Sequence, residues 1–88
     1  MPRVLITGAN RGIGYEFTKQ YADTGSSIIA CCRDTTGESS EDLRNLSKKN
    51  NKISIEKMDL LDHDSINLIS NKYVGIPIDI IINNAGIL

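Results

Sequence analysis

An apolar run, Val4-Leu5-Ile6, passes directly into Thr7-Gly8-Ala9-Asn10-Arg11-Gly12-Ile13-Gly14, and an amphipathic segment begins at Ile13. Few local patterns constrain a fold as tightly. A strand that enters a glycine-rich turn and leaves as a helix gathers unpaired N–H groups and the positive end of a helix dipole at one point. Glycine lets the backbone turn sharply there and lets an anion come close to it. The order strand, turn, helix therefore predicts a phosphate cradle, a stronger signal than a glycine cluster alone. The bland alternative is a tight turn that holds no ligand.

Strand and helix signals alternate along the rest of the chain. Arg3 to Thr7 reads as a first strand and Gly12 to Thr24 as a first helix, with Ile13, Phe17 and Tyr21 on one face, Ala22 beside them, and a stop at Gly25. Ser27 to Cys32 is almost continuously apolar, as a strand buried on both faces should be. Ser39 or Ser40 is placed to cap a short helix to about Lys49, striped by Leu43 and Leu46. A third strand runs from Ile53 to Met58. Asp62 then caps a helix through Tyr73 that carries Ile66, Ile69 and Tyr73. Gly75 and Pro77 break it, and Ile78 to Asn83 forms a fourth strand. Such alternation predicts right-handed crossovers, a parallel sheet and an α/β fold. The expected strand order is 3-2-1-4, the N-terminal half of a doubly wound Rossmann fold. Residues 1–88 read as one partial domain ending just after the fourth strand.

Composition narrows the partners. Eighty-eight residues make one small domain, and a formal charge of −1 gives no reason to expect nucleic acid or an acidic membrane. The longest apolar runs, such as Ile80-Ile81-Ile82, are far too short to span a bilayer, and Met1-Pro2-Arg3-Val4 lacks a signal-peptide layout. Adjacent Cys31 and Cys32 would point to opposite faces of a strand, so a disulfide framework is not expected and a reduced, cytoplasmic setting is. His63 sits among Asp62, Asp64 and Ser65, which reads as helix capping; no metal site is expected.

The spacing Thr7-Gly8-x-x-x-Gly12-x-Gly14 differs from the general G-x-G-x-x-G fingerprint. It resembles the N-terminal signature of the short-chain dehydrogenase/reductase family. Asn83-Asn84-Ala85-Gly86 resembles the same family's motif at the end of its fourth strand, and Met58-Asp59-Leu60 the segment that closes its third. The resemblance runs from Arg3 to Leu88, and the loop with Cys32-Arg33-Asp34 looks most like the carbonyl reductase, sniffer and C-factor branch.

That resemblance implies a dinucleotide cofactor. Its diphosphate would lie against the backbone from Gly8 to Gly14, with Thr7, Asn10 and Arg11 in the same motif and Ile13 packed beneath the cofactor or into the core. Asp59 would accept from the adenine amino group, and Leu60 would add backbone contacts. Asn84, Ala85 and Gly86 would line the adenosine-side ribose and lead toward the nicotinamide, while Asn83 would tie the fourth strand to the strand of Thr7. Asp59 has a competing reading as the cap of the turn before the third helix. NADP(H) is expected over NAD(H), because the position of an NAD-type acid falls on neutral Cys32 and a guanidinium, Arg33, follows. Arg11 adds a second cation. Asp34 argues the other way if the alignment is shifted, and Arg33 could be a solvated surface charge.

The family moves hydride with a Tyr-x-x-x-Lys pair, aided by Ser and Asn, beyond the fourth strand. Tyr15-Glu16-Phe17-Thr18-Lys19 matches the spacing but sits on the wrong helix, and reads as an outward-looking surface pair. The expected function is the NADP(H)-binding part of a carbonyl or 3-oxoacyl-type reductase, without its catalytic Ser, Tyr and Lys and so inactive alone. The alternatives are a non-catalytic nucleotide-binding module and a degenerate truncated fragment. An uncovered fourth strand would present an apolar edge for self-association or for a missing C-terminal half.

Overall fold

A computed structural model describes residues 2–84. Among them four parallel strands, β1 (Arg3–Thr7), β2 (Ser27–Cys32), β3 (Ile53–Lys57) and β4 (Ile80–Ile82), lie in the order β3-β2-β1-β4. The helices between them are α1 (Gly12–Asp23), α2 (Glu41–Lys49) and α3 (His63–Lys72), with a 3-10 turn at Glu38–Ser40 ahead of α2. The expected strand order is therefore the one formed.

Alternation along each strand divides the core in two. Val4, Ile6, Ile28, Ala30, Cys32 and Ile53 face α1 and α2, where they meet Ala9, Ala22 and Leu43. Leu5, Ile29 and Cys31 face the other way, against Met58, Tyr73 and Ile78 near α3. Each fully buried Ile or Leu contributes about 1.5–3 kcal/mol relative to exposure, so the first face carries most of the stability. Cys31 and Cys32 do point to opposite faces, and both are free thiols. Burial pushes the Cys31 pKa up to about 12, with the Glu56 carboxylate adding to the shift.

Several boundaries differ from the sequence expectation. β4 is shorter than expected: ahead of it Asp79 N–H still reaches the Arg3 carbonyl at 2.9 Å, but the Asp79 and Arg3 side chains also take part in holding the segment. Arg3 N–H donates to Asp79 Oδ2 at 2.8 Å, and its Nη1 donates to the Pro77 carbonyl at 2.9 Å. β3 ends at Lys57, although Met58 N–H still reaches the Cys32 carbonyl at 2.9 Å. Neither Ser39 nor Ser40 caps α2. Ser40 is buried, and its hydroxyl donates to the Asp34 carbonyl instead. Asp62 does cap α3, accepting from Asp64 N–H at 3.0 Å. Gly25, at φ 83°, ends α1 as expected.

The stripe assigned to α1 needs correction. Its buried residues are Gly14, Thr18 and Ala22, whereas Ile13 is 67% and Phe17 36% exposed. Ile13 thus does not enter the core. Close approach of the helix at Gly14 turns the small-residue face inward, and Tyr15 and Tyr21 flank it against the first cluster. Thr18 tolerates burial because its hydroxyl donates to the Gly14 carbonyl at 2.9 Å.

Candidate functional site

The crossovers β1-α1-β2 and β2-α2-β3 step one way along the sheet, and β3-α3-β4 returns to the other side of β1. The carboxyl ends of β1 and β4 therefore bound the crevice in which open α/β sheets bind ligands. Thr7 ties them together. Its Oγ1 donates to Asn83 Oδ1 at 3.0 Å and accepts from Asn84 N–H at 2.9 Å, so Asn83 does link the two strands. Asn84 Nδ2 also donates to the Gly8 carbonyl at 3.4 Å.

The glycines divide the labour of the turn. Gly8 and Gly12 adopt φ of 63° and 59°, the left-handed region that favours glycine. A Cβ on Gly14 would collide with the Gly8 carbonyl oxygen and lie 2.8 Å from Asn84 Nδ2. A Cβ on Gly12 would meet nothing within 4 Å, so the backbone there faces open space. The N-cap of α1, Arg11, is extended and makes no side-chain cap, and the first turn holds no acidic residue. The first intrahelical bond is Tyr15 N–H to the Arg11 carbonyl at 3.2 Å. Gly12, Ile13 and Gly14 thus have no intrahelical acceptor for their N–H groups.

The loop after β2 forms the neighbouring wall. Asn10 Nδ2 reaches across to the Ser39 carbonyl at 3.3 Å and to its hydroxyl at 3.5 Å. Cys32 is buried with its Sγ near Ser40 Oγ, and burial raises its pKa. Arg33 and Arg11 are exposed. Asp34 is exposed as well, but its carboxylate folds back on its own loop and accepts from the N–H groups of Thr36 and Gly37 at 3.0 Å each. Those backbone donors lower its pKa. Beyond β3, Asp59 Oδ1 accepts from Leu61 N–H at 3.0 Å, so this carboxylate takes part in the turn before α3.

A family model of the short chain dehydrogenases matches residues 2–88. The chain belongs to this family. It is 36% identical to human retinol dehydrogenase 12 over 88 residues, covering 97% of this chain and 28% of that protein. Among solved structures, a carbonyl reductase from Pseudomonas aeruginosa PAO1 matches with a TM-score of 0.89 at 33% identity, covering 99% of this chain and 39% of the other. The NADPH-bound carbonyl reductase from chicken fatty liver matches with a TM-score of 0.85 at 33% identity, over 99% of this chain and 35% of the other. The chain thus spans between a quarter and two fifths of the length of these relatives.

As a short chain dehydrogenase, the chain brings Thr7, Gly8, Gly12, Gly14 and Asn84 together at the crevice, with Asn10 and Arg33 on the adjoining loops. Ala85 and Gly86 lie outside the described residues. Tyr15 and Lys19 do form a pair on α1, the ammonium 5.6 Å from the ring centroid and 3.8 Å from Glu16. Contrary to the outward reading, Tyr15 is half-buried against the first core cluster. Two roles escaped the sequence reading, that of Ser39, taken there as a cap candidate, and that of Arg44. Ser39 meets Asn10, and Arg44 Nη1 donates to the carbonyls of Thr35 and Gly37 at 2.9 Å each. Neither belongs to a motif, and side-chain-to-carbonyl bonds across a loop leave no periodic trace.

Proposed function

We propose that this chain supplies the NADP(H)-binding part of an oxidoreductase that reduces carbonyl or oxo groups by hydride transfer. The observation that carries the reading is the uncapped start of α1, with open space over Gly12 at the crevice between β1 and β4. The backbone of Gly8, Gly12, Ile13 and Gly14 would hold the diphosphate. Asp59 and Leu60 would border the adenine, and Asn84, Ala85 and Gly86 the ribose. Bound there, the cofactor supplies the hydride.

The preference for NADP(H) rests on charge. Arg33 and Arg11 are exposed cations near the end of β2 and the glycine loop, suited to a phosphate. Asp34, the one acid that argues for NAD(H), is already engaged by its own loop. A proton donor for the reaction is not assigned to Tyr15, and the catalytic Ser, Tyr and Lys are proposed to come from outside these residues. Buried free thiols fit a reducing, cytoplasmic setting. Among the described residues no helix is long and apolar enough to cross a membrane.

Calorimetric titration with NADPH and NADH tests the reading. Binding of NADPH at least tenfold tighter than NADH, about 1.4 kcal/mol, is the expected result. Failure of a folded chain to bind either cofactor would overturn it. A second reading, a non-catalytic nucleotide-binding module, is supported by proposed site residues that would contact mainly the adenosine and diphosphate half of the cofactor. It gains if NADPH binds and no carbonyl compound accelerates its oxidation, even with a supplied catalytic segment.

A further inference from the structure

We propose that the turn from Asp34 to Gly37, clamped from behind by Arg44, sets coenzyme selectivity by withdrawing the Asp34 carboxylate from the ribose site and leaving that site to Arg33. The inference rests on the cofactor reading above and adds Gly37 and Arg44 as positioning residues. Neither needs to touch the cofactor.

Asp34 stands two residues past Cys32, the position at which an acid would accept from ribose hydroxyls, and a carboxylate freed from the turn would repel a 2′-phosphate beside Arg33. Its Oδ1 instead accepts from Thr36 N–H at 3.0 Å, Gly37 N–H at 3.0 Å and Thr36 Oγ1 at 3.2 Å. Its Oδ2 lies against Gly37 so closely that a Cβ there would collide with it. The turn is anchored on both sides. Ser40 Oγ donates to the Asp34 carbonyl, and Arg44 Nη1 donates to the Thr35 and Gly37 carbonyls at 2.9 Å each. Ser39, next in the same segment, holds Asn10 of the glycine loop and keeps the two walls in register. Arg33, between the buried Cys32 and the folded Asp34, is exposed, and its side chain has no hydrogen-bond or ion-pair partner among the described residues.

Gly37→Ala is the sharpest probe. Gly37 has an ordinary extended backbone, φ −82° and ψ −179°, and the atom a Cβ would strike is the end of a flexible side chain. The variant therefore folds, but the carboxylate must leave the turn. Titration of the chain with NADPH and NADH should show NADPH binding weakened by about tenfold, the scale of one charged interaction, with NADH unchanged or tighter. Adding Asp34→Asn to Gly37→Ala removes the displaced charge and should restore NADPH binding. Arg44→Ala, which opens the turn by another route, should shift the NADPH-to-NADH ratio in the same direction. Equal weakening of both cofactors, an unchanged ratio, or no recovery in the double variant would overturn the inference while leaving the cofactor reading intact. A wild-type chain that binds neither cofactor removes both.

Discussion

Gly12 and Gly14, two residues apart, answer to different forces. Gly14 permits packing: the Gly8 carbonyl occupies the space a Cβ would need, and backbone cannot swing aside. Gly12 permits a turn and leaves an opening, with φ 59° and nothing within 4 Å of a Cβ. Gly14→Ala should therefore lower stability by about 1–3 kcal/mol, as overpacking does, read as a shift in the urea midpoint. Gly12→Ala should cost only about 1–2 kcal/mol of left-handed strain, yet it places a methyl where the diphosphate is proposed to lie. Its effect on NADPH affinity should exceed its effect on stability, and the reverse order would exclude the cradle. The glycine positions were legible from spacing alone. Which of them packs and which stays open was not, because that depends on Gly8 and Asn84 arriving from different elements.

At the scale of elements, α3 is joined to the sheet by one polar knot. Glu56 of β3, only 9% exposed, accepts from Tyr73 Oη at 2.6 Å and pairs with Lys72 at 2.7 Å. Tyr73 entered the sequence reading as an apolar stripe residue; its hydroxyl proves equally important, since it satisfies a buried carboxylate. Removing that donor in Tyr73→Phe should cost about 1–3 kcal/mol. Burial and the bond to Glu56 push the Tyr73 pKa from 10 up to about 12. The folded state thus holds this proton more tightly than the unfolded chain. The associated stability is complete below about pH 10 and is lost as pH rises toward about 12. Denaturant melts across that range should show a steeper alkaline loss for wild type than for Tyr73→Phe, and parallel curves would contradict the assignment.

Across the whole molecule, the two faces of the sheet are unequally covered. The face under α1 and α2 holds the larger cluster, whereas the other leaves Ile81 66% exposed, with Leu68 and Val74 also exposed on and just after α3. β4 pairs with β1 on one side, and its other edge carries Ile80, Ile81 and Ile82 without a charge or proline within the strand. Edges of this kind pair with other strands. Self-association through this edge is the expected outcome: sedimentation should report a mass that rises with concentration, and Ile81→Lys should suppress the rise. A concentration-independent monomer would contradict it.

The 3-2-1-4 sheet was read from the rule for doubly wound folds, while local chemistry was enough for the order of elements, the glycine turn, the stop at Gly25 and the Asp62 cap. Each depends on neighbouring residues or on the period of the apolar pattern, which a chain carries before it folds. Tertiary structure decided which face of α1 is buried, because the contact at Gly14 outweighs the hydrophobicity of Ile13 and Phe17. It also decided where the Asp34 carboxylate points, through Gly37 and its own loop, and how Thr7 spans to Asn83 and Asn84. Such contacts join residues whose separation in sequence has no bearing on their separation in space, and only the packed chain determines them.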